Sequence, residues 1–174
     1  MDILKEIDDN SSVLLIIEGM NYNEEAAKIT RDLSKKKVCF ITLNKTYPAM
    51  KELLEKKGIN TGNITWIDAI SKTMKNVPDK EDNCYYISSP GALTEIAITI
   101  SKLQKENFDY IILDAINNLV VYRDKKTVAK FLIDFVSKIE DTNTKIIFYA
   151  FSTKEQEDLL KECGTFMDKT VSVK

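Results

Sequence analysis

Seven short runs of this chain are apolar almost without interruption, at 13–18, 38–43, 64–67, 84–88, 110–114, 145–151 and 170–173. A strand with one wet face alternates apolar and polar residues. A run that does not alternate has to be covered on both faces, as in a parallel sheet. Amphipathic segments separate the runs. In 92–105, Leu93, Ile96, Ala97, Ile100 and Leu103 recur at three- and four-residue steps, and in 125–139 Val128, Phe131, Leu132, Phe135 and Ile139 do the same. Each set makes one apolar stripe along a helix. Strands alternating with helices, joined by right-handed crossovers, give a three-layer α/β/α sandwich on a mainly parallel sheet.

The chain has 174 residues and is 44% apolar, enough for one core, and nothing in it resembles a repeat or a low-complexity linker. Residues 1–174 therefore read as a single domain. Segment 47–57 closes on "EKKG", whose lysines suit the negative end of the helix dipole and whose Gly58 suits a left-handed cap. "SKKK" at 34–37 closes the first helix in a similar way. Segment 70–83, "ISKTMKNVPDKEDN", reads as a polar surface loop with room for a short helix.

Composition excludes several kinds of function. There is no histidine, which removes Ser-His-Asp and Cys-His catalysis and most zinc sites. Twenty-five basic residues against 27 acidic ones leave a net charge of -2, no basis for nucleic acid as the main partner. The three cysteines are widely spaced: Cys39 and Cys84 sit in apolar runs, and Cys163 follows a polar helix. An odd number of free thiols fits buried, reduced side chains inside a cell. No apolar run reaches the ~20 residues of a membrane span, and "MDILKEIDDN" does not resemble a signal peptide. The expectation is a cytoplasmic protein with no membrane contact. Trp66 and the aromatics Tyr85, Tyr86, Phe108, Tyr110, Phe148, Tyr149 and Phe151 lie in or beside apolar runs, so burial against helices is their expected role.

Open α/β sheets bind ligands beyond the carboxyl ends of their strands. The loop after the first run, Gly19 to Asn23, lies there. A phosphate loop needs the spacing G-x-x-x-x-G-K-[ST]: glycines for close backbone approach, a lysine for charge and a hydroxyl for magnesium. Counting from Gly19 gives "GMNYNEEA", with Glu24, Glu25 and Ala26 at the glycine, lysine and hydroxyl positions. Asn23 is placed to cap the helix, and the two glutamates complement its dipole. A polyphosphate would meet two carboxylates, each costing on the order of a few kcal/mol at ~4–6 Å and an effective dielectric near 20.

A second candidate stands at the end of the fifth run. "FDYIILDAINNLVVY" ends an apolar strand in Asp114, the position where P-loop ATPases hold the magnesium shell. With its surroundings, "ISSPGALTEIAITISKLQKENFDYIILDAINNLVVYRDKKTVAKFLIDFVSKI", this stretch resembles the second half of a KaiC-like domain of the RecA-like ATPase superfamily. The "LTEI" helix start, the acidic strand end and the "NNLVVY" segment carry the resemblance. Asp114, Ala115, Asn117, Asn118 and Leu119 occupy the positions of the family's serine-rich turn and leucine. "TKIIFYAFSTKEQE" and "FMDKTVSVK" look like its last two strands. The resemblance implies a RecA-like sheet and relationship to archaeal-type KaiC paralogues acting in signalling or motility.

The departures from that family concern chemistry. The phosphate loop is replaced, and where the family has paired glutamates after its second strand this chain has Leu43, Asn44 and Lys45. Cradle, magnesium hydroxyl and base are all missing, so ATP–magnesium is not expected as a cofactor and no catalytic residue is assigned. Gly19, Asn21, Asn23, Asn44, Asp114 and Asn117 are left as a vestigial nucleotide site. The expected function is a non-hydrolysing regulatory or protein-binding module that pairs with itself or another protein. Two alternatives stand beside it. One is a ligand binder or enzyme using Asn21, Asn44, Asp114, Asn117, Ser152 and Thr153. The other is a phosphoacceptor receiver on Asp68 or Asp114, which lacks the acidic pair such domains need after the first strand.

Overall fold

The computed structural model describes residues 2–174. The elements run α1 (Ile3–Asp9), β1 (Ser12–Ile17), α2 (Tyr22–Leu33), β2 (Val38–Thr42), α3 (Tyr47–Lys56), β3 (Ile64–Asp68), α4 (Ser71–Met74), β4 (Lys80–Glu81), β5 (Cys84–Tyr86), α5 (Leu93–Leu103), β6 (Tyr110–Asp114), α6 (Leu119–Tyr122), α7 (Lys125–Ile139), β7 (Lys145–Phe151), α8 (Glu157–Gly164) and β8 (Lys169–Val173). The eight strands form one sheet in the order β4-β5-β3-β2-β6-β7-β1-β8. All neighbours are parallel except the two-residue edge strand β4, which is antiparallel to β5.

The register explains why the strands are apolar on both sides. One face carries Leu14, Cys39, Ile41, Ile67, Ile111, Leu113, Ile146 and Phe148, which pack with α5, α7 and α8. The other carries Val13, Leu15, Phe40, Trp66, Ile112, Ile147, Tyr149 and Val171, which pack with α1, α2 and α3. Consecutive residues point to opposite faces, so covering both leaves no position for water. The helix sides follow from the strand order. β1→β2→β3 moves one way along the sheet and β5→β6→β7 moves the other, and right-handed connections then place α2 and α3 on one face and α5 and α7 on the opposite one. All three cysteines are buried, Trp66 is 1% exposed, and no helix among the described residues is long and apolar enough to cross a membrane.

Local chemistry accounts for several helix ends. The Thr46 hydroxyl accepts from Ala49 N at the start of α3, and Asp124 accepts from Thr127 N at the start of α7. Gly58 has φ 71°, the left-handed cap expected of it. Several boundaries differ from the sequence reading. The polar start holds α1, whose Ile7 is fully buried and whose Asp2 side chain caps Lys5 N. The 70–83 stretch contains both α4 and β4, and Cys163 lies within α8 rather than after it. The run at 84–88 stops as a strand at Tyr86, while that at 64–67 extends to Asp68.

Asp68 shows why that extension matters. It is fully buried and accepts from Tyr47 N (2.7 Å), Ile70 N (2.8 Å), Ser71 N (2.8 Å) and the Ser71 hydroxyl (2.6 Å). One carboxylate thus ties the start of α3 and the turn into α4 to the end of β3. This set of donors leaves it no part in phosphoacceptor chemistry. Asp68→Ala strands buried N–H groups and is expected to cost about 3–5 kcal/mol; guanidinium-induced unfolding followed by circular dichroism measures this.

Candidate functional site

At the carboxyl edge of the sheet the register lines up Asp68, Thr42 and Asp114, the last residues of β3, β2 and β6, with Tyr149 and Leu15, each two residues before the end of β7 and β1. In a sheet of this kind that edge is where a ligand would sit. Tyr149 and Leu15 belong to the α1–α3 side, and Asp114 shares their parity, so its carboxyl faces the start of α2.

Gly19 to Asn21 form a single 3-10 turn between β1 and α2, with Gly19, Met20 and Asn21 exposed. Asn21 is the residue before α2, but its side chain makes no capping bond. Asn23 is not the cap the sequence suggested. It lies inside the first turn and accepts from Lys45 Nζ at 3.1 Å. Glu24 and Glu25 do stand in the first turn, and both are taken up by lysines. Glu24 pairs with Lys57 past the end of α3, and Glu25 pairs with Lys28 at 2.7 Å. The helix-start carboxylates therefore complement the dipole from outside and do not fill the strand-end space.

Tyr22 fills that space. Its ring is buried, meets Phe151 edge-on at 5.8 Å between centroids, and its hydroxyl donates to Asp114 Oδ1. Asp114 is 1% exposed. Burial pushes its carboxyl up to about 6, while the Tyr22 hydroxyl and the Lys45 charge pull it partly back. The phenol of Tyr22 is raised well above its ordinary value by burial and by the adjacent carboxylate. Behind it, Thr30 Oγ1 bonds the buried Tyr149 hydroxyl at 3.1 Å and the Ala26 carbonyl at 2.7 Å. Asp114 Oδ1 and the Tyr22 and Tyr149 hydroxyls are thus partnered by protein.

Asn117 was a vestigial nucleotide contact on sequence; the fold gives it a structural position. It is fully buried, donates to the Phe151 carbonyl (3.0 Å) and to Gln156 Oε1 (2.7 Å), and accepts from Phe151 N (2.9 Å). It clamps the end of β7 to the turn after β6. Asn118 does the same on the other side, donating to the Leu43 carbonyl at 3.0 Å, while Leu43 N donates to the Asp114 carbonyl at 2.7 Å. The Asp114–Ala115 peptide bond is cis. Asn44 and Thr153 do reach this edge; Asn44 Oδ1 and Thr153 Oγ1 are buried side-chain oxygens without a hydrogen-bond partner among the described residues. Ser152 is exposed, and its N–H donates to the Ile17 carbonyl at 3.0 Å.

The edge accordingly brings together Asp114, Asn44, Asn117 and Thr153, and leaves Gly19 and Asn21 outside on the exposed turn. Sequence reasoning treated Tyr22 as a spacer within "GMNYNEEA". Its signal was an aromatic residue at a helix start facing a buried acidic strand end. Lys45, Asn118 and Gln156 were likewise unassigned. Among the described residues no group of three or more acidic or thiol side chains is arranged to hold a metal ion. Asp114, committed to Tyr22 and closed from solvent, does not fit a magnesium shell, and the Gly19–Asn21 turn offers no lysine or hydroxyl to a phosphate.

A carboxyl raised on folding makes the folded state favour the proton. That contribution is fully present below the unfolded carboxyl value near 4 and is lost as pH rises through about 6. Asp114→Asn removes it. Relative to this variant, the wild type is expected to lose about 2–3 kcal/mol between pH 4 and pH 7, read as the difference between urea unfolding curves, in which the other carboxylates cancel. A pH-independent difference defeats the assignment.

No protein-family model matches this chain, and no curated protein is similar enough to it to mark a relative.

Proposed function

We propose that this chain is a RecA-like domain of the KaiC-like kind that has given up nucleotide chemistry and acts as a regulatory, protein-binding module in a reducing, cytoplasmic setting. One observation carries the reading: the Tyr22 side chain stands over Asp114 where the magnesium side of a nucleotide would be. A RecA-like assignment is supported by an acidic strand end at the centre of a mainly parallel sheet, by α2 leaving the end of β1, and by the "LTEI" and "NNLVVY" segments falling at α5 and at the turn into α6. The loss of chemistry is supported by independent substitutions at the loop and at the position after β2, and by Tyr22 engaging the Asp114 that is kept at the strand end. Phosphoryl transfer depends on charge placed around the phosphates in advance, and here the nearest strand-end carboxylate is spent on a phenol.

Keeping the scaffold while closing the site points to use of the surface. The signalling role and the pairing with itself or another chain belong to this proposal. The competing reading, a small ligand at the carboxyl edge, draws on the unpartnered Asn44 and Thr153 oxygens. A thermal-shift screen separates the two: a stabilising compound whose effect Asn44→Ala abolishes favours the ligand.

Isothermal titration with ATP–magnesium is expected to give no binding up to millimolar nucleotide, and Tyr22→Ala is expected to gain no turnover, because the cradle is still missing. Micromolar affinity together with hydrolysis abolished by Asp114→Asn would defeat the proposal.

A further inference from the structure

Away from the strand ends, on the opposite helical layer, a groove of about 630 Å³ runs between α5 and α7. Both helices return antiparallel to the strands they connect, so they lie parallel to each other. The groove follows α5 from Leu93 to Gln104 and α7 from Thr127 to Ile139. At 1.5 Å per residue that is a channel roughly 16–18 Å long, the length of about 11 helical residues. Its floor is apolar, with Ile98 50% exposed and the Phe131 ring stacked on Phe135 at 6.0 Å.

The rim is charged in one sense. Lys102, Lys130 and Lys138 line it against a single acidic residue, Asp134. None of the three lysines enters an ion pair among the described residues, although Lys28, Lys35, Lys56, Lys57, Lys72 and Lys161 all do. The chain as a whole carries a net charge of -2, so this patch runs against the protein's own balance. Lys102 and Lys138 stand in the last turns of their helices, where they suit the dipole. Lys130, in the middle of α7, has no such role.

We propose that the α5–α7 groove docks an acidic amphipathic helix of a partner protein. It rests on the reading of the chain as a protein-binding module and names the chemistry of the partner. Apolar side chains at three- and four-residue steps would lie on the exposed Ile98 and the half-buried Phe131, whose ring is backed by the buried Phe135, as in helix-in-groove recognition. Carboxylates flanking that stripe would meet the three lysines. Phe131 supplies the anchoring site, held in place by Phe135 beneath it, since large rigid side chains at the centre of an interface carry most of its energy.

The test is a display library of 16-residue helical peptides with randomised faces, selected on the whole chain and counter-selected on Ile98→Asp. The expected result is enrichment of sequences with an apolar stripe flanked by Asp and Glu. The best of them is expected to bind more weakly by about tenfold or more to Lys102→Glu/Lys130→Glu/Lys138→Glu, and more weakly to the wild type in added salt. Both variants change exposed residues, and circular dichroism checks their fold. Basic or non-helical winners, no enrichment over the counter-selection, or binding indifferent to the lysines would each overturn the proposal. So would a self-dimer in sedimentation that Ile98→Asp disperses, which assigns the groove to a second copy. Nucleotide titration is read separately: a chain that binds neither ATP nor an acidic helix keeps its closed strand-end site and loses only this groove assignment.

Discussion

Both faces of this sheet are covered, and that constraint governs what happens at its carboxyl edge. A half-wet sheet can leave the polar groups at its strand ends to water. Here Asp68, Asp114 and Asn117 are each at most 1% exposed, and a buried polar group without a partner costs free energy comparable to a lost hydrogen bond or more. The protein has to partner them itself. Asp68 collects four donors from α3 and α4, Asn117 clamps β7, and Asp114 takes the Tyr22 hydroxyl.

The same requirement separates a working ligand edge from a closed one. In a binding site, the ligand supplies the partners that strand-end groups need. In this chain nearly all of those partners are intramolecular, and the one that matters most comes from the helix that would otherwise have pointed its N–H groups at a phosphate. Tyr22 is suited to the position because its ring adds apolar burial against Phe151 while its hydroxyl reaches the carboxyl. The resulting pair is uncharged on the tyrosine side and raised towards neutrality on the aspartate side. That suits a packed interior better than a free carboxylate does.

With the edge closed, the exposed features lie elsewhere. The layer of α5 and α7 keeps unpaired lysines beside exposed apolar side chains, whereas most surface lysines on the α2 and α3 side are tied to neighbouring carboxylates. A surface salt bridge contributes little to stability, but it does occupy a charge that would otherwise be available to a partner. The two helical layers thus differ less in stability than in what they leave open.

The uninterrupted apolar runs and the stripes of 92–105 and 125–139 were enough, as sequence, to place a mainly parallel sheet between two helical layers, because those periodicities reflect burial directly. The absence of a phosphate-loop motif after the first strand was legible too, since that motif acts through residue types at fixed local spacing. The identity of what closes the site was not legible. Asp114 and Tyr22 are 92 positions apart, and only the order β6-β7-β1 in the sheet puts the end of one strand beneath the helix leaving another. Asn117 looked like a ligand contact for the same reason: an amide side chain has the same donors and acceptor whether it meets a nucleotide or the end of a neighbouring strand. The residues available were set by the chain, but their partners were decided by which strands became neighbours, because a hydrogen bond acts over about 3 Å and carries no record of sequence distance.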